Sequence, residues 1–111
     1  MNVYDTANRL ASELKQSTEY ANYKKVREMI ASNPELKKKI GDFEVTRYEA
    51  QIIQMQTGKE DEEKTNKMKE LYAELIQIEE AKQYFDAEMK FNIVLADVNK
   101  IIGEAVRDVM Q

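Results

Sequence analysis

Cysteine and histidine are both missing from this 111-residue chain, and their absence removes more chemistry than any motif present adds. Without cysteine there are no disulfides, thiolate metal sites, iron–sulfur clusters or cysteine nucleophiles. Without histidine the usual general base near neutral pH, the usual zinc and haem ligand and every Ser-His-Asp arrangement also go. One proline and three glycines leave little to interrupt helices. No apolar run approaches the roughly 20 residues that span a bilayer, and Met1-Asn2-Val3-Tyr4-Asp5 has no basic region ahead of an apolar core. A soluble, cytoplasmic protein with no membrane contact, no cofactor and no metal is therefore expected.

What is present is apolar and charged in helical proportion. Hydrophobic residues make up 42% and charged residues 34%, too rich in apolar side chains for a disordered segment. One all-α domain over residues 1–111 is expected. The net charge of −4 is uneven: residues 1–57 carry nine Lys and Arg against eight Asp and Glu, which is +1, and residues 58–111 carry eight against thirteen, which is −5. A nucleic acid would have to be met by the first half, because phosphate repels the second.

The spacing predicts five helices. Val3, Ala7, Leu10 and Leu14 make the first stripe, with Asn2 able to cap it, Asp5 in its first turn and an end near Gln16. Ser17 and Thr18 offer the second cap, and Tyr23, Val26 and Ile30 carry that helix to about Ala31. Asn33-Pro34-Glu35 starts the third helix, with proline at the first helical position, where its missing N–H costs nothing. Leu36, Ile40 and Phe43 form one stripe of this helix and Val45, Tyr48, Ile52 and Met55 a second, while Gly41 between them suggests a close helix crossing or a slight bend. Thr57-Gly58-Lys59 ends it, and Glu60-Asp61-Glu62-Glu63 opens the fourth helix, whose stripe is Met68, Leu71, Leu75 and Ile78. The third and fourth helices should form an antiparallel hairpin turning at Gly58.

Beyond Ile78 the stripe loses phase, with Lys82 where an apolar residue is wanted, so either a short joint near Glu80 or a bend in one long helix is expected, the joint being favoured because so long an unbroken rod is rare in a small domain. From Tyr84 to Met110, Phe91, Leu95, Val98, Ile102, Ala105 and Val109 recur at steps of four and three. Met89, Val94, Ile101 and Val106 widen that face, which suggests a central post touching several neighbours, and Gly103 suggests a close contact on its packed side.

No reacting group emerges. Glu60 to Glu63, with Glu70 and Glu74, lack the alternation and turn glycine of a calcium loop, and di-iron bundles use Glu-x-x-His pairs. Acids favourable to a helix dipole already explain them. Lys24, Lys25, Arg27, Lys37, Lys38 and Lys39 are the only basic concentration, either a solvated helix surface or a phosphate-binding patch for RNA; no stacking aromatics or glycine-rich clamp favour the second. Glu88 and Asn99 lie close to the apolar face of the last helix and are candidates for fixing register, Glu88 by pairing with Arg47 or Lys24. Tyr48, Ile52, Ile53 and Met55, with Leu71, Tyr72 and Leu75 opposite, form an apolar surface on a two-helix arm. Such a surface invites a partner unless another helix of the same chain folds over it, so a homodimer or higher homo-oligomer is expected.

Several local strings, in their order along the chain, resemble the YlbF/YmcA/YheA family of small bacterial helical proteins, and most of all its YheA branch. They are Ser17-Thr18-Glu19-Tyr20, Asn33-Pro34-Glu35-Leu36, Met55-Gln56-Thr57-Gly58, and Ala87-Glu88 followed by Asp97-Val98-Asn99-Lys100-Ile101-Ile102. The resemblance spans nearly the whole chain. It implies an all-helical protein that self-associates and, in the better-known branches, acts without catalysis in a complex that modulates RNA processing and development. Those branches carry cysteines linked to an iron–sulfur cluster; this chain has none, so the cluster does not carry over.

Overall fold

The computed structural model describes residues 2–110. They fold as α1 (Val3–Lys15), α2 (Thr18–Ala31), α3 (Pro34–Thr57), α4 (Glu62–Leu75), α5 (Glu79–Ala105) and a single turn, α6 (Arg107–Met110). The expected all-α architecture is present, and the first four helices start where short polar side chains take up free backbone N–H groups, whereas α5 opens at Ile78 without such a cap. Asn2 Oδ1 accepts from the Tyr4 amide at 2.8 Å, Ser17 Oγ from Tyr20 at 3.2 Å, and Asn33 Oδ1 from Leu36 at 3.2 Å. Within the acidic run the cap is Asp61, whose carboxylate accepts from the Lys64 amide at 3.1 Å. Gly58 closes α3 at φ 75°, the left-handed conformation that glycine adopts without a Cβ clash.

The joint falls at Ile76-Gln77-Ile78, a little ahead of Glu80. Its cause is in the core: along an unbroken helix Ala81 would be turned about 240° from Leu75. Breaking the rod lets both be buried, Leu75 at 1% and Ala81 at 0% exposure. They join Ile30 of α2, Leu36, Ile40 and Phe43 of α3, and Tyr84 of α5 in one cluster. Aromatic rings stitch its sides together, Phe43 lying edge-on to Phe85 at 5.3 Å and Phe85 meeting Tyr72 at 5.2 Å. The α3–α4 hairpin therefore packs against one end of α5 while α2 runs along it.

Three expectations need correcting. The last helix is a central post only over its first half: every residue from Asn99 to Met110 is exposed, because no other helix extends that far. It is also not continuous to Met110, since Val106 leaves α geometry at φ −111°, ψ 9°. Neither Gly41 nor Gly103 marks a close crossing within the subunit, for a Cβ built on either meets no atom within 4 Å. The molecule is thin and open, 50 × 37 × 16 Å with a radius of gyration of 17.6 Å; a compact chain of this length would have roughly 13 Å.

Candidate functional site

Three helices converge on a small polar cluster. Glu88 of α5 has a side chain only 15% exposed, 3.5 Å from the guanidinium of Arg47 on α3. The Tyr23 hydroxyl of α2 donates to the same carboxylate at 3.4 Å, and Arg27 donates to the Tyr23 oxygen at 3.4 Å. Of the two partners expected for Glu88, Arg47 and Lys24, Arg47 is the one that lies against it. Arg47 also lies 5.3 Å above the Phe43 ring, which holds its planar head in place. That hydrogen bond to Tyr23 is the main reason the Arg27 guanidinium holds its proton more tightly than usual.

Beside this cluster the Tyr84 hydroxyl donates to Glu44 at 2.6 Å. Burial, reinforced by that bond, pushes the Tyr84 phenol well above its ordinary range. A tyrosine held this firmly in its neutral form is neither base nor nucleophile at neutral pH. The cluster joins α2, α3 and α5 by charge-assisted bonds. Glu44 was legible as a signal that sequence reasoning passed over: it stands at helical spacing from Ile40 and Arg47, a carboxylate beside the apolar stripe of α3. Among the described residues no group of three or more Asp or Glu is placed to hold a metal ion.

A cleft of about 640 Å³ opens between α2, α3 and α5 over this cluster. Tyr23, Tyr84 and Phe91 line it together with Lys24, Arg27 and Lys37. The six basic residues do not act as one surface. Lys25 lines a separate groove with Asp86 and Lys90, Lys38 is exposed, and Lys39 is 3.9 Å from both Glu35 and Glu74.

The residues named for self-association divide between surface and core. On α3, Tyr48 is 64% and Met55 81% exposed, with Ile52 and Ile53 half-buried. Opposite them, Leu75 is fully enclosed and offers nothing to a partner, Leu71 is half-buried against the core, and Tyr72 spends its ring on Phe43 and Phe85. Asn99 is exposed on the open half of α5. No helix among the described residues is long and apolar enough to cross a membrane.

A UPF0342 protein of Symbiobacterium thermophilum is 38% identical over 104 residues, covering 94% of this chain and 93% of that protein. One from Desulfitobacterium hafniense is 33% identical over 110 residues, covering 99% and 89%. Among solved structures, Bacillus subtilis RicA, crystallised in complex with RicF, superposes with a TM-score of 0.61 at 23% identity, over 98% of this chain and 96% of that one, a likeness of fold. A model of the family described as "Control of competence regulator ComK, YlbF/YmcA" matches residues 3–107. With α1 through α5 all inside that match, the chain belongs to the YlbF/YmcA family.

Proposed function

We propose that this chain is a non-enzymatic regulatory protein that works by presenting helix faces to other protein chains, a copy of itself among them, and that within its family it stands nearest the YheA branch. The observation that carries this reading is the outer stripe of α3. Val45, Tyr48 and Met55 stay in water there although the same helix buries Leu36, Ile40 and Phe43. Contiguous apolar surface on a soluble domain marks an interaction site. The family's description as a control of a competence regulator, and the fact that RicA was crystallised with another protein, support a role in a regulatory assembly.

The α3 face, centred on Tyr48 and Ile52, is the proposed self-association site, with Ile53, Met55 and the exposed edge of Tyr72 around it. Placing charge there tests it. Tyr48→Lys combined with Ile52→Lys should lower the sedimentation coefficient of the full chain while its helical circular dichroism persists. An unchanged coefficient would refute the α3 face.

A further inference from the structure

Gly41 has no local reason to be glycine. It lies inside α3 without a positive φ, where glycine weakens a helix relative to alanine, and a Cβ built on it meets no atom within 4 Å. The space beside it belongs to the cleft of about 640 Å³ between α2, α3 and α5. Gly41 forms part of the cleft wall, with Lys37 one turn before it and Glu44 one turn after it. A larger side chain would therefore stand in the cleft rather than against the protein. Glycine at this position lets something from outside the chain approach the α3 backbone.

The lining says what that occupant is. Small-molecule sites hold roughly 300–1,000 Å³, are walled mainly by apolar and aromatic side chains and carry a few placed charges, and this cleft has that make-up. Tyr84, 5% exposed, is its most enclosed ring, and Tyr23 carries the aromatic wall on to Phe91, with centroids 5.8 Å from Tyr84 and 5.9 Å from Phe91. Such a wall takes a flat ring edge-on or offset. Lys24 and Arg27 stand one turn apart on α2, and Lys37 enters from α3. Among the described residues neither Lys24 nor Lys37 pairs with a carboxylate, unlike Lys39. The lining carboxylates are Glu28 and Glu44, and Glu44 already accepts from Tyr84. Three cations against two carboxylates is +1, which matches one negative charge. A phosphate monoester would bring a second negative charge beside Glu28 and Glu44 with no cation left to balance it.

We propose that the cleft binds a small aromatic carboxylate, its ring against Tyr23, Tyr84 and Phe91 where Gly41 leaves room, and its charge toward Lys24, Arg27 and Lys37. This goes beyond the protein-partner reading and does not depend on it, since neither Tyr48 nor Ile52 lines the cleft.

Equilibrium dialysis of the full chain near neutral pH tests it with naphthylacetate, its neutral counterpart naphthylacetamide, and naphthyl phosphate. The carboxylate should bind one molecule per chain, at least about tenfold tighter than the amide, which lacks the charge-assisted bonds, and tighter than the phosphate. Gly41→Leu fills the cleft and should abolish binding while helical circular dichroism persists. Lys24→Gln combined with Lys37→Gln, both at exposed positions, should weaken the carboxylate about tenfold and leave the amide unchanged. Tyr48→Lys with Ile52→Lys should bind as the wild type does, so that the α3 face and the cleft are read separately. Any of four results overturns the site: no saturable binding below about 1 mM, an amide or a phosphate that binds as well as the carboxylate, binding that survives Gly41→Leu, or binding lost with the Tyr48 and Ile52 changes.

Discussion

The hydroxyl of Tyr84 on α5 rests 2.6 Å from the carboxylate of Glu44 on α3, with the phenol ring itself buried. One short bond therefore joins the longest two helices beneath the cleft. Tyr84→Phe keeps the ring and strands a partly buried carboxylate, so it should cost about 1–2 kcal/mol in urea denaturation.

The same pair governs alkaline behaviour. The folded-state pKa of Tyr84 lies above the unfolded value of about 10, because burial and the bond to Glu44 favour the neutral phenol. Its contribution to stability is then fully present below pH 10 and is lost as the pH rises from there towards the folded pKa. Denaturation midpoints measured upward from pH 9 should fall more steeply for the wild type than for Tyr84→Phe.

Glu88 is held by Arg47 and Tyr23 together. Glu88→Ala leaves the guanidinium and the hydroxyl without their acceptor and should cost about 1–2 kcal/mol. Glu88→Gln keeps an acceptor for Tyr23 and should cost less than half as much. Salt should narrow the gap between wild type and Glu88→Gln, since only the ion pair is screened; equal salt response in all three chains would contradict this account.

The core and the outer stripe of α3 should respond differently to truncation. Leu75→Ala opens a cavity in an enclosed site and should cost about 3 kcal/mol, whereas Met55→Ala, at 81% exposure in the single chain, should change monomer stability by less than about 0.5 kcal/mol.

The glycines separate in the same way. Gly41→Ala has free space for its methyl and should stabilise α3 by up to about 1 kcal/mol. Gly58→Ala must take φ 75° with a Cβ and should lose about 1–2 kcal/mol. Thermal melts of the two variants should therefore move in opposite directions.

Helix identity, caps and the Gly58 turn were determined by the sequence alone, because each depends on residues within one turn of one another: Asn2 on Tyr4, Ser17 on Tyr20, Asn33 on Leu36. Even the joint was announced by the lost phase between Ile78 and Phe85, although its position waited on which of Leu75 and Ala81 could share a core. Periodicity says that a helix has an apolar face and is silent on whether anything covers it. Tertiary structure alone decided that. It enclosed Leu75 while leaving Met55 in water, brought Glu44 to Tyr84 across 40 residues of chain, and ended the cover over α5 before Asn99, because contacts between distant segments depend on how the helices are placed in space.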